Sequence, residues 1–185
     1  MPGVGDGAAA GRPGVRAALL MLLAAAPPQP RPCLTAPEAE ALVAAALPDV
    51  LRQTGVRCAP KLAVVSPLRQ SNGELLKRYD RAAESAWPAA RAALGKLSGS
   101  LVDGLLQSDY ARPLLGSLIA PVIAARLPVE DCAAIDRLVT LLAPLPPQNV
   151  AGLVVVAADR ARRTRVPAGT SNPAASLPLC PVETR

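Results

Sequence analysis

LKRYDRAAESAWPAARAALGKL, residues 76–97, is the stretch on which the fold class turns. Leu76, Tyr79, Ala83, Ala86, Ala90, Leu94 and Leu97 recur every three or four positions, the period of a helix. Lys77, Asp80, Arg81, Glu84 and Arg91 occupy the other side. Such a stripe buries one face and solvates the opposite one. Asn72 or Ser71 is placed to open the helix. Glu74 and Arg78 stand one turn apart as a favourable ion pair. Pro88 is expected to bend the segment near Glu84.

Helical signals continue on both sides. Upstream, Thr35-Ala-Pro-Glu38 combines a capping threonine, an early proline and a glutamate three residues on. A helix through Leu42, Val43, Ala46 and Leu47 follows, with a kink or restart expected at Pro48 and a stop at Gly55. Leu62 to Val65 reads as a short strand or a packed loop. Downstream, Leu101 to Leu106 forms a short helical piece and Asp109 is placed to cap a helix from Arg112 to Leu127. That helix is apolar nearly all round, which predicts central burial. Glu130 and Asp131 begin another, with Cys132, Ile135, Leu138, Val139 and Leu142 on one face. Asn149 caps a last helix, although Val154, Val155 and Val156 also suit a strand. The sum is an all-α fold, a small bundle of five or six proline-kinked helices.

The N-terminus reads as an export signal. Arg12 and Arg16 precede an unbroken apolar run from Ala17 to Ala26. This run is too short to span a bilayer, which needs about 20 residues, and suits a cleaved signal peptide. The expected organisation is a signal peptide over residues 1–26, a Pro-rich extended segment over 27–34, a helical domain over 35–165 and a Pro/Ser/Ala-rich tail over 166–185. Contact with a membrane surface fits this plan, and spanning does not. Cys33, Cys58, Cys132 and Cys180 all survive removal of the leader. An even number of cysteines in an oxidising compartment suggests two disulfides. Four cysteines allow three pairings, and spacing alone does not choose. The preferred set joins Cys58 to Cys132, pinning the early loop to a core helix, and Cys33 to Cys180, tying two flexible ends together.

The chain has 185 residues, no Phe, one Trp and two Tyr, so its interior must be built from Leu, Val, Ile and much Ala. Its net charge of +6 is mild and scattered, and export makes nucleic acid an unexpected partner. The excess of Arg over Lys, with abundant Ala, Pro and Gly, has the character of GC-rich bacterial coding. The absence of histidine is the strongest chemical statement. It removes Ser-His-Asp and Cys-His hydrolysis and most zinc sites. Leu94-Gly-Lys-Leu-Ser-Gly-Ser100 lacks the spacing and context of a phosphate loop and reads as a helix end at Gly99.

Three features remain as site candidates. Tyr79, Ala83 and Trp87 share a helical face that could line an apolar ligand pocket or meet a partner. Arg160, Arg162, Arg163 and Arg165 form the one charge cluster, suited to anion binding or simply to a helix C-terminus. Asp103, Asp109, Glu130 and Asp131 are the close acids that carboxylate-dependent hydrolysis would need. No cofactor or metal is expected. The reading that follows is a periplasmic or secreted, non-catalytic helical domain acting through an unidentified protein partner or in envelope structure. The alternatives are a helical-bundle carrier of an apolar ligand or lipid, and a carboxylate-dependent hydrolase.

Overall fold

The computed structural model describes residues 32–164 and 177–181. The expected signal peptide, Arg165 and most of the tail lie outside the described residues. Six α-helices build the described part: α1 (Ala36–Cys58), α2 (Glu74–Ser98), α3 (Asp103–Leu106), α4 (Ala111–Ala125), α5 (Cys132–Leu142) and α6 (Pro147–Arg163). The all-α class read from the sequence is what the chain adopts. Among the described residues no helix is long and apolar enough to cross a membrane.

Helix α1 is the hub, packed most extensively against α2 and then against α4 and α6. Its start follows the sequence. The Glu38 carboxylate accepts from the Thr35 backbone N–H at 2.7 Å and from the Thr35 hydroxyl at 2.9 Å, holding the first turn closed. The helix then runs through Pro48 without a restart, and it does not stop at Gly55. Gly55 is buried against the backbone of Leu68, in a 3-10 turn (Pro67–Arg69) that packs on α1. Its missing side chain serves a close approach here rather than a helix end.

Helix α2 runs antiparallel to α1. Lys96 pairs with Glu38 at 2.9 Å and Arg52 pairs with Asp80 at 2.6 Å, fixing the register near both ends. The buried residues of the two helices are largely alanine, Ala39, Ala44 and Ala45 on α1 and Ala82, Ala83, Ala90 and Ala93 on α2. Small side chains let backbones approach, so a core without phenylalanine is filled by proximity rather than by bulk. Gly73, not Ser71 or Asn72, precedes α2, and Glu74 pairs with Lys77 instead of Arg78. Arg78 reaches the Ala143 carbonyl beyond α5. Gly99, at φ 65°, ends α2 as its sequence position implies.

The expectation of central burial fails for α4. Its fully buried residues are all small: Ala111, Gly116, Ala120 and Ala124. Leu118 is 61% exposed and Val122 55% exposed, with Leu114 and Ile119 also exposed. The helix is pressed to α1 by its small side chains, which leaves Leu114, Leu118 and Val122 pointing outward while Leu115 and Ile123 stay half-buried. Tyr110, not Asp109, flanks its start, and no side chain caps it.

Other local readings are settled by packing. Residues 62–65 form no strand: Leu62 is buried, while Val64 and Val65 are about 80% exposed in a turn. Val154 to Val156 are helical, within α6, and Asn149 lies inside that helix rather than capping it. Glu130 and Asp131 fall in a 3-10 turn (Val129–Asp131) before α5. On α5, Ile135 and Val139 pack inward but Leu138 is exposed.

Two apolar clusters are found among the described residues; one contains a disulfide and the other lies next to one in sequence. Cys58–Cys132, with Cα atoms 5.5 Å apart, lies within the cluster of Leu62 and Leu68. Cys33–Cys180, at 4.9 Å, ties residues 177–181 to the segment before α1. There Leu34 and Leu179 form an isolated parallel bridge and join Ala39, Ala93 and Val155 in the other cluster. Both pairs match the preferred pairing.

Candidate apolar ligand site

A cavity of about 460 Å³ opens between α1, α2 and α4. Leu42, Leu47 and Val50 of α1 contribute to its wall, as do Trp87, Leu94 and Leu97 of α2. Helix α4 supplies Leu115, Ile119 and Ile123, spaced three to four residues apart on one face. Leu34 and Leu177 also line it, so the disulfide-tied strap forms part of its boundary. Among the described residues the lining is aliphatic apart from Trp87 and one charged side chain, Arg112. The volume lies in the ordinary range for small-molecule sites, about 300–1,000 Å³.

The cavity follows from the way α4 packs. Gly116 sits on Asp49 of α1, where a β-carbon would overlap the carboxylate. Near that contact the helices approach closely, and the larger Leu115, Ile119 and Ile123 border the space. Ala120 and Ala90 line it with little bulk.

The expected face of Tyr79, Ala83 and Trp87 divides. Trp87 lines the cavity, whereas Tyr79 and Ala83 are buried elsewhere on α2 and do not. Burial pushes the Tyr79 hydroxyl pKa up. Sequence reading missed Arg112, which stood only as the start of a helix. The signal that could have found it is its place on the Leu115–Ile119–Ile123 stripe, a guanidinium on an otherwise aliphatic face.

The arginines of α6 are largely engaged within the fold. Arg162 donates to Asp159 at 2.8 Å and to the Leu179 carbonyl at 2.7 Å. Arg163 also donates to Asp159, at 2.8 Å. These bonds, Arg162's first, hold the Asp159 carboxyl below its usual range. Arg162 thus helps to seat the C-terminal strap, and Arg160 is exposed. Asp103, Asp109, Glu130 and Asp131 are all exposed. Asp103 borders a second depression with Arg91 and Gln107, and among the described residues no other acid lines it. Among the described residues no cluster of three potential ligands is placed to hold a metal.

No protein-family model, no curated protein and no solved structure matches the chain.

Proposed function

We propose that this is an exported, non-catalytic helical domain that holds an apolar small molecule between α1, α2 and α4. The cavity carries the reading: about 460 Å³, lined almost wholly by aliphatic side chains, with one tryptophan and one cation. Bundle proteins place ligands between facing helices in this way. Two disulfides support a periplasmic or secreted location, because such bonds persist in oxidising compartments.

Trp87 is the chain's single tryptophan and part of the cavity wall, so its fluorescence reports occupancy. Titration with a neutral bromine-labelled aliphatic alcohol should quench it saturably. Solvent extraction and mass spectrometry of the natively purified protein should release an apolar compound. A protein that is extracted empty and shows no saturable quenching would sink the reading.

A second reading, contact with another protein, is favoured by a separate observation. Leu114, Leu118 and Val122 form an exposed row along α4. Exposed apolar rows of this kind mark interaction surfaces. Self-association through this row would make the chain sediment above its monomer mass, and Leu118→Lys should restore the monomer.

A further inference from the structure

We infer that the cavity takes an anionic amphiphile, a carboxylate or phosphate head on a single aliphatic tail, with Arg112 receiving the head. The inference rests on the cavity being a ligand site and adds the chemical class of the ligand.

Among the described residues Arg112 is the sole charged one in the cavity lining. It is half-buried, and among the described residues its side chain makes no hydrogen bond or ion pair. No acid is paired with Arg112 among the described residues. Asp49, which α4 meets at Gly116 one turn beyond Arg112, lies 3.6 Å from Arg52. Asp80 takes the stronger bond from Arg52 at 2.6 Å. A guanidinium beside an aliphatic wall gains most from an oxyanion that brings its own apolar chain. Its fork of donors matches the two oxygens of a carboxylate or phosphate. Arg112 also occupies the first turn of a 15-residue helix, whose positive end adds to its attraction for an anion. The aliphatic residues that extend from it along α4, Leu115, Ile119 and Ile123, suit the tail.

The competing account is that Arg112 lays its methylene stem on the apolar wall and keeps its head in water, with no ligand role. The two accounts separate in one experiment. 12-Bromododecanoate and 12-bromododecanol share a tail and differ in head charge, and both are read by Trp87 quenching in the full-length oxidised protein. An alkyl phosphate with the same tail distinguishes the two head groups. The expected result is saturable quenching by all three probes, with the anions bound about tenfold more tightly than the alcohol, the scale of one charge-assisted contact. Arg112→Gln should bring the ratio of anion to alcohol affinity down to about one, Arg112→Lys should keep part of the advantage, and Arg126→Gln, an exposed charge outside the lining, should leave the ratio as it is. Equal affinity for anion and alcohol in the native protein overturns the head-group assignment while leaving the apolar site intact, and this comparison stands even if an Arg112 variant fails to fold. An Arg112→Gln variant that loses alcohol and anion equally also overturns it. Quenching by none of the probes overturns the underlying ligand reading.

Discussion

Gly55 lies so close to the backbone carbonyl of Leu68 that a β-carbon on residue 55 would overlap it. The contact joins the last turns of α1 to the 3-10 turn at Pro67–Arg69, beside the Cys58–Cys132 core. A mid-helix Gly→Ala change ordinarily gains about 1 kcal/mol of helix propensity. At residue 55 the obstacle is main chain, which cannot rotate away, so Gly55→Ala should lower stability by about 1–3 kcal/mol. Gly116 provides the contrast. Its obstacle is the carboxylate end of Asp49, which can swing aside. Gly116→Ala should stay within about 1 kcal/mol of the native protein. Urea unfolding of the two variants checks the ordering, and equal losses would show that the approach at Gly55 is not rigid.

The alanine seam between α1 and α2 makes a similar prediction in the opposite sense. Ala83 is fully buried, whereas Ala89, on the same helix, is exposed. Leucine and alanine differ little in helix propensity. Ala83→Leu should therefore cost about 1–3 kcal/mol through overpacking alone, and Ala89→Leu should be close to neutral. If both substitutions were neutral, the two helices would not be held at close approach by their small residues.

The two disulfides should differ in what they release. Cys58 and Cys132 are fully buried in a core cluster and close a loop of 74 residues. Replacing both by alanine should lower global stability by about 2–5 kcal/mol. Cys33–Cys180 fastens the strap that carries Leu177 to the cavity and Leu179 to the core. Cys33→Ala with Cys180→Ala should speed exchange first at the backbone amides of positions 34 and 180, because these N–H groups bond across the bridge. It should also shift Trp87 emission to the red as the cavity opens to water. Unchanged emission with intact amide protection would mean that the Arg162 bond to Leu179 holds the strap unaided.

Residues 76–97 were legible because the stripe is one-sided: apolar and charged residues alternate at helical spacing, and the packed face can only be the apolar one. Helix α4 was not legible in the same way. Its hydrophobicity runs all round, so period alone cannot tell whether large or small side chains face α1. Close packing decides for Gly116, Ala120 and Ala124, and Leu114 and Leu118 are turned outward as a result. Helix starts failed for a related reason. Asp109 and Asn149 are good capping types, but the chain geometry around Tyr110 and Pro146 sets where α4 and α6 begin. The cavity was half visible. Trp87 belonged to a stripe on one helix, but Arg112 acquires meaning only from the aliphatic walls contributed by α1 and α2.

Acid should loosen the α1–α2 pair over a defined window. The hydrogen bond from Lys96, helped by those from Thr35, lowers the Glu38 carboxyl from its ordinary 4.5 to about 2. Above pH 4.5 this carboxyl is ionised in both folded and unfolded chains, and its stabilising effect is complete. Between pH 4.5 and about 2 the unfolded chain takes up a proton that the folded chain refuses, so stability falls as pH falls. Below about 2 the folded form is protonated too and the effect is gone. Glu38→Gln should therefore be less stable than the native protein at neutral pH, with a flatter profile across the window, and the two should converge towards pH 2. Asp159, lowered first by Arg162, adds a slope of the same sign, so Asp159→Asn must be measured alongside. Urea midpoints at pH 7, 4.5, 3 and 2 provide the check. Parallel profiles for the native protein and Glu38→Gln would mean that the Lys96–Glu38 bond contributes nothing to the pairing of α1 with α2.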